Sequence, residues 1–173
     1  LDRGNAAVFV GAGVSMPAGF VDWKGLLQEF ADELGLDLDV EQDLVSVAQY
    51  HINANANDRS RLNQKVVNEF SKKATPTASH LGLANLPVSV FWTSNYDRLL
   101  EKCLEDSGRT VDVKVGDAAL TVTSPDAQST IFKMHGDVGT PDSLIITRDD
   151  YEFYATEHAG FQTALRAHLA SST

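Results

Sequence analysis

Three short groups of residues in this chain have types and spacing that could do chemistry. Gly11-Ala12-Gly13-Val14-Ser15 follows the apolar run Val8-Phe9-Val10, Thr93-Ser94-Asn95-Tyr96-Asp97 follows a second run at 88–92, and His135-Gly136-Asp137 follows a third at 130–134. Glycines let a backbone approach an anion closely, and the free N–H groups and positive dipole end of a following helix favour negative charge there. The first group is therefore a candidate phosphate cradle. Asn95 carries both a donor and an acceptor, and Asp97 is an acceptor when ionised. His135, with an ordinary pKa of about 6.5, would act as a proton acceptor near neutral pH. Each group also has a plainer reading. The glycines could form a tight turn, Asn95 and Asp97 could cap the next helix, and His135 could be a hydrogen-bonded histidine at a strand end. His51, His80, His158 and His168 have no such context and read as structural or surface residues.

Placing these groups requires strands that end where they begin. Residues 6–10 read as a short buried strand. Trp23, Leu26, Leu27, Phe30 and Leu34 recur at helical spacing, with Asp22 placed to cap the helix and Gly35 to end it. Two further helical stripes follow, at Leu44, Val47, Ala48 and Ile52 and at Leu62, Val66 and Phe70, separated by an asparagine-rich spacer at 53–57. A short helix is expected at 79–86. Strands are expected at 88–92, 111–115 and 130–134, with shorter candidates at 120–123 and 144–146. Helices are expected after Asp97, over 149–157, and along Phe161, Leu165 and Leu169. Strands alternating with helices predict an α/β fold with a mainly parallel sheet, and open sheets of that class bind ligands at the carboxyl ends of their strands.

Several classes drop out. Met16 occupies the third glycine position of the dinucleotide fingerprint, and no acidic strand end follows at the required distance, which argues against hydride transfer. No Gly-Lys-Ser/Thr follows the glycines, which argues against a triphosphate loop. A formal charge of −10 and a pI near 4.8 argue against a direct nucleic-acid surface or an anionic membrane face. No apolar run approaches the roughly 18 residues of a membrane span, and the expected location is the cytoplasm. Cys103 is the sole cysteine, so a cysteine zinc site or an internal disulfide cannot form. The length suits one domain, and a first residue of Leu1, close to the first strand, gives the expectation of a piece of a longer protein.

Taken in order, the three groups resemble the sirtuin family, which carries a GAG(I/V)S turn, a TxNxD loop and a His-Gly pair in this sequence. Gly19, Asp22, Trp23 and Lys24 fall where sirtuins carry Gly, Asp, Phe and Arg over the nicotinamide end of NAD, so Trp23 and Lys24 are departures. The lone cysteine is another, because deacylating sirtuins carry a four-cysteine zinc module. The chain is more similar to the zinc-free, NAD-degrading domains of bacterial anti-phage defence proteins. That resemblance implies a Rossmann-like sheet flanked by helices, with a helical insertion at about 26–85 and no zinc module, in one catalytic domain over 1–173. It implies NAD as substrate, no metal, and a homo-oligomer or larger defence complex formed through regions outside this piece.

On that reading Gly11, Ala12, Gly13 and Ser15 cradle phosphate, while Asp22 and Trp23 belong to the segment over the nicotinamide. Thr93 opens the TxNxD loop, Asp97 accepts from the carboxamide, Asn95 orders ribose hydroxyls or water, and His135 is the base. The expected reaction is NAD glycohydrolysis. Its rivals are a non-catalytic NAD or ADP-ribose binding module and a deacylase or ADP-ribosyltransferase.

Overall fold

A computed structural model describes residues 6–171. Its strands are β1 (Ala7–Val10), β2 (Val90–Thr93), β3 (Val111–Val115) and β4 (Ser129–Lys133), which form one sheet in the order β1-β2-β4-β3. All pairings are parallel, and the register decides where the chemistry can lie. Val10 is level with Thr93, and Thr93 is level with Lys133. The three polar groups therefore leave the sheet side by side at its carboxyl edge.

The helices are α1 (Trp23–Leu34), α2 (Leu44–Ala54), α3 (Ser60–Phe70), α4 (Ala78–Ala84), α5 (Leu99–Asp106), α6 (Arg148–Glu157) and α7 (Ala159–Ser171). The crossover from β1 to its neighbour β2 consists of α1 to α4. Alternation along the strands separates two cores. Phe91 and Ile131 face α4 and α5 and pack with Ala84, Leu100, Cys103 and Leu104. Trp92 and Phe132 stack on each other at 4.3 Å on the opposite face and pack with Phe161 of α7. Each fully buried Phe contributes roughly 1.5–3 kcal/mol. A third core joins Leu26, Leu27 and Phe30 of α1 to Val47 of α2 and to Leu62 and Val66 of α3, and includes Tyr96 from beyond β2 and Val138, Leu144 and Ile146 from beyond β4. Through those residues the helical layer is seated against the loops at the carboxyl edge.

Two expected strands are absent. Residues 120–123 overlap a 3-10 turn, Asp117–Thr121, because Gly116 at φ +70° turns the chain out of β3 and Asp117 accepts from the N–H groups of Gly160 and Phe161 at the start of α7. Residues 144–146 are buried but lie outside the sheet. Their backbone groups are satisfied instead by Arg59, which donates to the Leu144 carbonyl, by the His135 carbonyl, which accepts from Ile145, and by Asp150, which accepts from Ile146. The helix after Asp97 begins at Leu99.

Candidate functional site

The segment after β1 is not a direct strand-to-helix turn. Two 3-10 turns, Ala12–Val14 and Met16–Ala18, intervene before α1 begins at Trp23. Within the first, Val14 N–H donates to the Gly11 carbonyl and Ser15 N–H to that of Ala12, so the opening amides of Ala12 and Gly13 have no partner inside the turn. Neither Gly11 nor Gly13 has a positive φ, and a Cβ at either would meet nothing within 4 Å. Neither a positive φ nor crowding accounts for a glycine at these two positions. The open space is what a bound group lying against the backbone would need.

The segment after β2 is fixed by its own side chains. Asn95 N–H donates to Thr93 Oγ1 at 3.0 Å, which leaves Thr93 buried behind the loop. Asn95 Nδ2 donates to the Gly11 carbonyl at 3.1 Å and to Ser15 Oγ at 3.0 Å. A carbonyl oxygen can only accept, so the amide nitrogen must face Gly11, and both its donors are spent on the glycine turn. The acceptor Oδ1 remains for a ligand or water. Asn95 makes no contact with α5 that would cap it. Asp97 does part of what a cap would do, since Oδ1 accepts from Leu99 N–H at 2.9 Å. Its second oxygen, Oδ2, is buried without a hydrogen-bond partner. A buried acceptor left open is costly, on the order of 1–3 kcal/mol, and a ligand N–H would remove that cost.

His135 stands one residue beyond Met134, at the end of β4. Gly136 follows at φ +88°, where a Cβ would lie 2.2 Å from the Ser143 carbonyl oxygen, so only glycine fits. Burial pushes the His135 pKa down from 6.5 to about 4. The expectation of an ordinary histidine titrating near neutrality is thus corrected: the half-buried ring is held neutral across the physiological range. It can still accept a proton, but as a weaker base than a free imidazole. Tyr151 meets it edge-on, with ring centroids 5.3 Å apart.

These elements enclose a cavity of about 410 Å³. Ala12, Ser15, Asp22, Trp23, Asn95, Asp97 and His135 line it, so the structure brings together residues from three strand ends and the start of α1. Gly11, Gly13 and Thr93 do not reach the cavity wall, and Gly11 and Thr93 support it from behind through Asn95. Asp22 has one oxygen committed to Gly25 N–H at 2.8 Å as the cap of α1. The apolar roof of Phe20, Leu44 and Phe70 was not identified from sequence, because its parts come from separate segments that meet only when the helical layer packs. Behind the wall lies a second unforeseen feature, a buried ion cluster of Lys133, Asp137 and Glu101, which the exposed Arg98 joins through Asp137. A charged residue ending an otherwise apolar strand, as Lys133 does, was the available signal.

The match to known families begins where β2 begins. The family described as SIR2-like domain matches residues 89–173, which contain both the Asn95 loop and the His135-Gly136 pair. Over the whole chain, the NAD(+) hydrolase ThsA of Acinetobacter baumannii is 46% identical across 173 residues. Over residues 89–173 the chain is similar to SIR2-like domains. The NAD(+) hydrolases ThsA of Bacillus cereus and Enterococcus faecium are 45% and 41% identical to this chain, over 98% and 100% of it. It spans 36% of the length of each of these three relatives. The glycine turn lies outside the matched SIR2-like segment and is reached only by the whole-chain similarity. Among the described residues no group of three or more His, Cys, Asp or Glu side chains could hold a metal ion. No described helix is long and apolar enough to cross a membrane.

Proposed function

We propose that this chain is an NAD glycohydrolase domain that releases nicotinamide and leaves ADP-ribose. The observation that carries the reading is that Asp97, whose Oδ2 is buried without a partner, lines a cavity together with Asn95 and His135. The nicotinamide carboxamide supplies the N–H that this oxygen lacks. Ala12 and Ser15, on the cavity wall, form the phosphate side, and Gly11 and Gly13 continue it along the open backbone beyond that wall, with the Ala12 and Gly13 amides as donors. Trp23 and Asp22 bound the nicotinamide end, and Thr93 fixes the Asn95 loop from behind.

Nicotinamide in NAD is a cationic pyridinium, so it leaves without a proton from a general acid, and the ribose carbon becomes oxocarbenium-like. The catalytic residues we assign are Asn95 and His135. Asn95, its donors anchored to the glycine turn, offers Oδ1 to a ribose hydroxyl or to the attacking water. Neutral His135 takes the proton that water or a ribose hydroxyl gives up. The apolar roof lowers the polarity around both interactions and strengthens them. Water as nucleophile completes hydrolysis. The relatives' name, NAD(+) hydrolase, supports this reading over a non-catalytic nucleotide module, and the single buried cysteine supports it over a zinc-bearing deacylase.

The setting we propose is a cytoplasmic homo-oligomer or a larger anti-phage defence assembly, with residues 1–173 as its catalytic domain and no direct contact with nucleic acid. The test is to incubate the intact protein with NAD, follow nicotinamide release by chromatography, and measure NAD binding by calorimetry. Asn95→Ala and His135→Ala are expected to lose at least 100-fold in release. Full release by both variants refutes the site. A wild-type protein that binds NAD without cleaving it, alone or in its assembled state, refutes the enzyme.

A further inference from the structure

Lys133, the last residue of β4, has its side chain fully removed from water. A buried ammonium costs several kcal/mol of desolvation unless partners compensate, and an apolar residue of similar size is often as good or better for stability. The partners here are unusual in where they come from. Nζ lies 2.6 Å from the Asp97 carbonyl oxygen and 3.2 Å from that of Tyr96, the two residues that follow Asn95. It lies 2.6 Å from Asp137 Oδ2, two residues after His135, and 2.9 Å from Glu101 Oε1 on α5. Asp137 is itself held by Arg98, which donates from Nε at 2.8 Å, and by Gly139 N–H at 2.7 Å. Burial pushes the Asp137 carboxyl up, but the Arg98 hydrogen bond and Lys133 outweigh it and hold it below the usual carboxylate range. Burial likewise pushes the Glu101 carboxyl up, and there it prevails.

One cation thus grips the backbone of the loop bearing Asn95 and Asp97 and the carboxylate of the loop bearing His135. A leucine in its place would fill the volume but hold neither loop. We propose that Lys133 is a positioning residue: its ammonium group fixes loops 93–97 and 135–137 relative to one another, so that Asn95 and Asp97 face His135 across the cavity. The coupling of the loops stands on these contacts alone, and its kinetic consequence rests on the NAD-cleaving reading above.

The test compares the intact wild-type protein with Asp137→Asn and Lys133→Met, using amide hydrogen exchange without ligand and nicotinamide release with NAD. Asp137→Asn keeps the size of the side chain and its acceptor for Gly139 N–H, so it carries the test if Lys133→Met does not fold. Exchange at 93–97 and at 135–139 is expected to rise together, fivefold or more, while β3 and α7 keep wild-type rates. The kcat is expected to fall tenfold or more, with KM changing by less than threefold. A folded Asp137→Asn whose exchange rises at 135–139 alone overturns the coupling. Unchanged kcat despite coupled loosening overturns the positioning role. Coupled loosening in a protein whose wild type releases no nicotinamide supports the coupling and counts against the NAD reading instead.

Discussion

The depressed pKa of His135 ties stability to pH in a way that one substitution isolates. With the ring at about 4 in the folded chain, against an ordinary value of 6.5, unfolding takes up a proton wherever the pH lies between the two. The unfolded state then binds more protons, so stability rises with pH in that window: it is fully present above 6.5 and is lost progressively as pH falls toward 4. Between pH 8 and pH 5.5 the linked loss amounts to about 1.4 kcal/mol, an upper figure because His135 keeps some exposure. For a chain of this size that corresponds to a fall in Tm of about 3–6 °C. The range stays above the pI near 4.8, where an acidic chain would precipitate.

Other groups titrate in the same window. His51 and His80 are also held below 6.5, chiefly by burial. The measurement is therefore a difference: calorimetric Tm at both pH values for the wild type and for His135→Gln, whose side chain does not titrate. The wild type is expected to lose about 3–6 °C more than the variant across this range. Equal losses refute the desolvation argument. So does a limb near pH 6.5 in the wild-type activity profile, because a ring held neutral leaves nicotinamide release flat from pH 5.5 to 8 as far as this residue is concerned.

Asn95→Asp replaces both donors by acceptors at almost constant volume. Ser15 Oγ can rotate to donate, but the Gly11 carbonyl, 3.1 Å away, cannot. A loss of about 1–3 kcal/mol is expected, read as a lower Tm, together with lost nicotinamide release. A variant as stable as wild type would mean that the amide does not bridge the two loops. Gly136→Ala drives a Cβ to 2.2 Å from the Ser143 carbonyl at a backbone φ of +88°. Thermal melts are expected to show destabilisation of several kcal/mol or failure to fold, and an alanine variant with normal Tm would contradict the close approach of these loops. Gly13→Ala is the counterpart, since a methyl group there meets nothing in the protein. Its Tm is expected to stay within about 2 °C of wild type, while NAD affinity by calorimetry falls. Unchanged affinity would remove the phosphate role from this turn.

What could be read from sequence divides according to whether a cause is local. Asp22 as the cap of α1 and Gly35 as its end were legible because a cap concerns neighbours within one turn. So was the parallel α/β arrangement, because strand and helix periods alternate along the chain. Residues 144–146 misled for the opposite reason: they are as apolar as a strand, but their backbone partners are Arg59, His135 and Asp150, three positions that no local pattern connects. The same distinction runs through the site. Asn95, Asp97 and His135 could be named from their motifs, where residue types alone favoured helix capping for the first two and only the ordered resemblance favoured ligand binding. The structure separates them: Asn95 reaches the glycine turn instead of α5, and Asp97 spends one oxygen on Leu99 while burying the other unpaired. Lys133 was passed over because a lysine in an apolar strand carries no meaning until the carbonyls of 96 and 97 and the carboxylate of 137 converge on it. Gly11 and Gly13 complete the argument. Sequence suggested either a turn or a ligand, and the structure shows neither positive φ nor crowding at these two glycines, with Gly11 at the N-cap of the 3-10 turn.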